Sequence, residues 1–171
     1  SFQPGRVIKT VLVWDEPWWR SHGLSGLVLS APGNSTLFGA AVAGTGSPGT
    51  LVIFSCAEAA TRLAQAAPTE DARVALGLRW LEEHLGVAVP KPRAHASTDW
   101  SSEVWSNGGY ASRRSVGARA MAPDLFAPLG RIHFAGSETA DEWRCFMEGA
   151  LQSGQRAAKE VLDANASGES R

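Results

Sequence analysis

The chain has 171 residues, 44% of them apolar, which is enough to bury the core of one ordinary domain or two small lobes and argues against disorder. Lys and Arg total 16 against 17 Asp and Glu, a net charge of −1 with no basic stripe, so a nucleic-acid binder is not expected. Cys56 and Cys145 lie far apart without metal-ligand or CxxC spacing and read as separate reduced thiols, with no metal site expected. No apolar run approaches the ~20 residues of a bilayer-crossing helix. The start, Ser1 to Gly5, lacks the pattern of a signal peptide. The expectation is a cytoplasmic protein without membrane contact.

In chain order, Arg6 to Trp14 (RVIKTVLVW) is rich in β-branched residues and predicts a strand whose apolar run is broken by Lys9. Gly26 to Ser30, Thr36 to Ala43 and Thr50 to Phe54 predict three more strands, joined by short turns as in an antiparallel sheet. Between the last two, Gly44 to Gly49 spells G-x-G-x-x-G. A dinucleotide-binding turn of that spelling opens directly into a helix whose N-terminus holds pyrophosphate. Here Pro48 sits inside the motif and a β-branched strand follows, so the segment reads as a hairpin loop.

Ser55-Cys56-Ala57-Glu58 has capping-box spacing and predicts a helix to about Ala67, stopped by Pro68. A second helix is expected from Thr69, with Glu70 and Asp71 at its positive end and Gly86 as its C-cap. Val74, Leu78, Leu81 and Leu85 form its apolar stripe, and the pair reads as scaffold. Pro90 to Trp100 is expected to be extended and is followed by a Ser- and Gly-rich loop. Arg131 to Phe134 predicts a short strand, and about Cys145 to Ala164 a final helix. Trp14, Trp18, Trp19 and Trp80 read as core.

The stretch from Arg131 to Val161 carries the chemistry. A strand runs into Ala135-Gly136-Ser137-Glu138-Thr139, where glycine lets backbone approach a ligand, and a helix start offers free amides at its positive end. On residue types alone this is an anion or polarised-carbonyl site, or an ordinary strand–loop–helix connection.

FAGSETADEWRCFMEGALQSGQRAA resembles the C-terminal signature of the flavin-containing monoamine oxidase and polyamine oxidase superfamily, over about thirty residues. Two further blocks resemble the same family in the same order. Arg6-Val7-Ile8-Lys9 with Asp15-Glu16-Pro17-Trp18-Trp19-Arg20 is similar to its strand bearing a flavin-facing lysine. Trp100 with Trp105-Ser106-Asn107-Gly108-Gly109-Tyr110 is similar to the stretch beside the isoalloxazine. The resemblance implies FAD as cofactor, with Trp100, Gly109, Gly136, Ser137, Glu138 and Met147 around it. It implies that Lys9 holds a water near flavin N5 and that Tyr110 and Phe146 form an aromatic cage for a neutral amine. Gly109 stands where some members carry the cysteine that binds FAD covalently, so a non-covalent flavin is implied. Phe146 stands where many members have Tyr.

The fold class expected is α+β: an antiparallel substrate-domain sheet with helices, plus the C-terminal strand–turn–helix of an FAD-binding domain that would be α/β in a complete enzyme. Residues 1–100 would belong to the substrate-binding part, 101–165 to the flavin-binding part, and 166–171 to a polar tail. The implied activity is oxidation of an amine to an imine with O₂ reduced to H₂O₂. No βαβ unit for the ADP moiety is present, so an N-terminal Rossmann half or a partner chain is implied, homo-oligomerisation is a further expectation, and the chain alone should bind FAD weakly with little activity. Two alternatives remain. One is L-amino acid oxidation, with Arg113, Arg114 or Arg119 receiving the carboxylate. The other is a non-catalytic interaction module on the same scaffold.

Overall fold

A computed structural model describes residues 2–30, 37–109, 111–114 and 126–167. The chain divides into two compact units, Pro4–Gly109 and a second made of Ser1–Gln3 with Tyr110–Arg171. Strand β1 (Phe2–Gln3) belongs to the second unit, where it pairs antiparallel with β7 (Arg113–Arg114).

The first unit is built on five strands: β2 (Val7–Trp14), β3 (Val28–Leu29), β4 (Ala40–Ala43), β5 (Gly49–Cys56) and β6 (Ala94–Asp99). They form one sheet in the order β3-β4-β5-β2-β6, with every pairing antiparallel. Period-two alternation gives β2 its two faces. Ile8, Thr10, Leu12 and Trp14 are buried, and Leu51, Ile53 and Ser55 of β5 are buried likewise. Helices α1 (Glu58–Ala66) and α2 (Glu70–Leu85) supply Ala60, Leu63, Val74, Trp80 and Leu81 to the same core. Each fully buried aliphatic side chain contributes about 1.5–3 kcal/mol. At Gly77 an added Cβ would lie 3.0 Å from Ile53 Cδ1, so this glycine sets how closely α2 approaches the sheet.

The tryptophans take the packing role expected of them. Trp14, Trp18 and Trp19 meet edge to face with centroids 5.8–6.0 Å apart, and Trp14 Nε1 donates to Pro90 O at 2.8 Å. Trp80 tilts against Phe38 at 5.6 Å. The glycine-rich Gly44–Gly49 segment joins β4 to β5, with Gly44 N–H donating to Thr50 O at 2.8 Å, and no helix follows it. It is a hairpin loop. Gly49 is required there, since a Cβ would lie 2.3 Å from Glu16 O.

Helix α2 starts and ends as expected. The Thr69 hydroxyl accepts from Ala72 N–H at 3.3 Å, and Gly86 adopts the left-handed conformation at φ 67°. The capping box before α1 does not form. Ser55 is fully buried in β5 and its hydroxyl donates to Leu37 O, while Ala57 occupies the cap position with φ 53° and no side-chain bond. A β5 that continues through Cys56 places Ser55 inside the sheet, where a buried hydroxyl must find a partner.

The second unit contains a one-turn 3-10 helix (Ser137–Thr139) and α3 (Met147–Ser167), which begins two residues later and ends three residues later than its periodicity suggests. The strand expected at Arg131–Phe134 is absent as a ladder; only an isolated bridge joins Leu129 and Ile132. Strand character needs a partner edge, and no described strand lies beside this segment. The whole is an α+β arrangement. Among the described residues no helix is long and apolar enough to cross a membrane, and no group of three or more His, Cys, Asp or Glu is placed to hold a metal. Cys56 and Cys145 are both free thiols.

Candidate functional site

In the first unit Lys9 lies on the sheet face opposite the helices. Lys9 alternates with the buried Ile8 and Thr10, so its side chain leaves by that second face, exposed and in line with Val11 and Val13. Its cross-strand neighbours are Phe54 on β5 and Thr98 on β6. Lys9 Nζ stands 5.3 Å from the centroid of the Phe54 ring, and among the described residues no carboxylate lies within ion-pair distance of it. The result is a cation between Phe54 and Thr98, held by the ring's electron-rich surface.

Trp100 and Gly109 lie against the chain at the start of β2. Trp100 N–H donates to Val7 O at 3.1 Å and Gly109 N–H donates to Gly5 O at 2.9 Å. A Cβ on Gly109 would lie 3.4 Å from Val7 Cγ1 and 3.8 Å from Trp100 Cβ, a tight contact at most. The neighbouring Gly108 differs: at φ 131° it brings backbone so close that a Cβ would sit 2.5 Å from Gly5 O. Trp100 and Gly109 thus both approach Val7, two residues before Lys9. Tyr110 lies outside the described residues, as does Arg119, and of Arg113 and Arg114 only the backbone is described.

In the second unit the glycine turn is tied down from several sides. Gly136 adopts φ 127°, ψ 158°, a conformation open to glycine, with empty space where a Cβ would project. Its N–H donates to Ser153 Oγ at 2.9 Å, and Ser153 in turn donates to Ala150 O at 2.8 Å. Ser137 Oγ donates to Glu138 Oε2 at 2.9 Å, while Arg144 Nε donates to Glu138 O at 3.1 Å. Cys145 N–H reaches back to Ser137 O at 3.1 Å. The segment between the turn and α3 is therefore folded back on itself, with Trp143 and Cys145 at φ 51° and 70°. Gly149 permits this, because a Cβ there would lie 2.3 Å from Trp143 O.

That folding leaves an apolar cluster uncovered at the start of α3. Trp143 (61% exposed) and Phe146 (56%) meet edge to face at 6.2 Å, and Met147 is 87% exposed. The first amides of a helix have no intrahelical acceptor, so the backbone at Met147 and Glu148 points donors and a positive dipole end outward beside these side chains.

Sequence reasoning missed four residues behind the turn. Arg156 Nη2 donates to Phe134 O at 3.0 Å and to Thr139 Oγ1 at 3.1 Å, and its Nη1 meets Glu160 Oε1 at 2.8 Å. Glu160 Oε2 meets His133 Nδ1 at 3.0 Å. The His133 bond, helped by Arg156, holds the Glu160 carboxyl below its ordinary range. Ser153, buried on α3, is the fourth. The i,i+4 spacing of Arg156 and Glu160 was a readable signal; their reach to His133 and Thr139 was not.

The model of a family described as flavin-containing amine oxidoreductase matches residues 3–162. A probable flavin-containing monoamine oxidase A of Dictyostelium discoideum is 37% identical over 162 residues, covering 93% of this chain and 35% of that protein. An L-amino acid dehydrogenase of Synechocystis is 33% identical, covering 92% of this chain and 33% of that protein. Among solved structures, putrescine oxidase with putrescine bound superposes with TM-score 0.80 at 32% identity, covering 92% of this chain and 35% of that one. Cyclohexylamine oxidase from Brevibacterium oxydans superposes with TM-score 0.83 at 28% identity, covering 95% and 36%. The chain spans about a third of the length of these relatives.

Proposed function

The chain belongs to the family of flavin-containing amine oxidoreductases, and from that premise we propose that it forms the substrate-facing and flavin-facing part of an FAD-dependent amine oxidase. The observation that carries this reading is the open glycine turn leading into an uncovered helix start, within a chain that matches the family from residue 3 to residue 162. The residues suit such a cofactor. Gly136 leaves room for a ligand, Trp143, Phe146 and Met147 present apolar surface to a ring, and the first amides of α3 offer donors to that ring's polar edge. At Gly109 there is no sulfur to form a thioether, which supports a non-covalent flavin.

When bound, the flavin takes two electrons from the C–N bond of an amine and delivers them to O₂, leaving an imine that hydrolyses and hydrogen peroxide. The chain's own residues bind and orient. Ser137 and Glu138 would line the ribityl-phosphate part, and the Met147 amide would stabilise negative charge on the ring edge. Trp100 and Gly109 would contribute to holding the ring. Lys9 holds a water on the second face of the sheet, and Tyr110 with Phe146 aligns the neutral amine. Residues 1–100 would serve as the substrate-binding part and residues 101–165 as the flavin-binding part. The ADP moiety would be held by a Rossmann-type half outside these 171 residues, either on the same polypeptide or on a partner chain. Packing against that half, or against a second copy, would cover the exposed apolar cluster at the start of α3. A cytoplasmic location completes the proposal.

L-amino acid oxidation is the second reading, favoured by the Synechocystis relative. It needs a cation for the substrate carboxylate, and Arg113, Arg114 and Arg119 are the candidates.

The test supplies FAD to the chain alone and to the chain combined with a Rossmann-type half of the family, and measures peroxide with a panel of diamines, arylalkylamines and L-amino acids. Peroxide from amines in the combined sample, with weak flavin binding by the chain alone, is the expected result. Peroxide only from amino acids transfers the assignment to the second reading. No flavin binding in any combination overturns both.

A further inference from the structure

Behind the glycine turn, beside the Ser153 bond to Gly136 N–H, three hydrogen bonds meet at Arg156. From one guanidinium nitrogen it donates to Phe134 O (3.0 Å), the last residue but one before Gly136, and to Thr139 Oγ1 (3.1 Å), the last residue of the 3-10 turn. From the other it meets Glu160 one helical turn on (2.8 Å). Glu160 is held in place by His133 (3.0 Å), which sits on the same approach to the turn as Phe134. Arg156 therefore spans both ends of residues 134–139 and anchors them to α3. Thr139 Oγ1 also donates to Gly136 O at 2.9 Å, which carries the restraint onto the glycine itself.

The planar fork of a guanidinium suits this task. It serves three acceptors at fixed angles, and a more flexible ammonium would not hold all three in one geometry. The backbone it restrains needs restraint, because Gly136 at φ 127° has wide conformational freedom in isolation. A glycine turn that contacts a ligand through its backbone binds well only if it is already in the bound geometry.

We propose that Arg156, oriented by Glu160 and His133, is the positioning residue that sets the Gly136–Thr139 turn for its cofactor contact, without touching the cofactor itself. The inference rests on the flavin reading above and adds to it the residue that makes the turn rigid.

The experiment compares wild type with Arg156→Met, Thr139→Val and Arg156→Lys in the flavin-loaded protein that carries this chain. Lys159→Met serves as the control. Lys159 forms an exposed i,i+4 pair with Asp163 on the same helix, away from the turn. The readouts are the flavin dissociation constant from fluorescence, the visible spectrum of the bound flavin and its midpoint potential, alongside thermal unfolding. Arg156→Met is expected to weaken flavin binding by about tenfold or more and to shift the spectrum and potential. Arg156→Lys should recover part of the affinity, and Lys159→Met should match wild type. Thr139→Val removes one of the three Arg156 acceptors together with the hydroxyl bond to Gly136 O, and should show the same change in smaller degree, so it carries the test if Arg156→Met fails to fold. Flavin affinity and potential within about twofold of wild type in Arg156→Met and Thr139→Val overturn the inference while leaving the flavin reading intact. Lower thermal stability with unchanged spectrum and potential also overturns it, as a purely structural role. A wild-type protein that binds no flavin overturns both readings.

Discussion

Lys9 faces Phe54 directly across the β2–β5 ladder, with its amine 5.3 Å from the ring centroid. A cation–π contact at a partly exposed site contributes about 0.5–1 kcal/mol, enough to favour one position of a flexible side chain without immobilising it. The pair puts a positive charge on the second face of the sheet, beside Val11 and Thr98. In the proposed oxidase this is the residue that acts on the oxygen step.

Lys9→Met should therefore slow flavin reoxidation by O₂ while leaving the fold intact. A stopped-flow comparison is expected to show a loss of about tenfold or more in the oxidative rate, roughly the magnitude of losing one positioned group. Unfolding free energy should fall by no more than about 1 kcal/mol, the size of the lost cation–π contact. Unchanged reoxidation would remove Lys9 from the mechanism.

Gly136→Ala tests backbone strain rather than crowding, since a Cβ at that position meets empty space. At φ 127° the substitution should cost about 1–3 kcal/mol or force the turn to rearrange. Denaturant unfolding of the variant, with flavin affinity measured in parallel, checks this. Equal stability and equal affinity would show that the turn relaxes freely.

Leu12→Ala removes a fully buried side chain from the middle of β2. The expected loss is about 2–5 kcal/mol in urea unfolding. Val104→Ala, on a residue 84% exposed, should lie within about 0.5 kcal/mol of wild type. A Leu12 variant as stable as the Val104 variant would contradict the buried core described above.

Acid should loosen the turn and α3 through Glu160. Its carboxyl is held below the ordinary value by the bond to His133 and by Arg156. A depressed folded-state value means that the stabilisation is fully present above the ordinary carboxylate pKa and is lost as pH falls through the lower, folded one. The urea midpoint should decline over that acidic range, and Glu160→Gln should flatten the decline while lowering the midpoint near neutrality. An identical acid limb in both proteins would assign the effect to other carboxylates.

Much of this molecule was legible from local chemistry. The β-branched run of β2, the Thr69 cap and Gly86 stop of α2, and the hairpin nature of Gly44–Gly49 follow from residue types and spacing, because each depends on contacts within a few residues. The family resemblance was also legible, since glycines, a lone strand lysine and the Met-Glu-Gly-Ala helix start occur in order along the chain.

Other features depended on partners distant in sequence. Ser55 had the spacing of a helix cap, yet the continuation of β5 buried it and turned its hydroxyl to Leu37. Arg131–Phe134 had strand character, but a strand exists only where another edge completes its hydrogen bonds. Arg156 looked like half of a helical ion pair until the fold brought Phe134 and Thr139 within reach of its second nitrogen. Sequence by itself determined which residues could bind, cap or turn, because those capacities belong to the side chain and its nearest neighbours. Only the tertiary structure decided which of those capacities were used, since a buried donor or acceptor takes whatever partner the packing supplies.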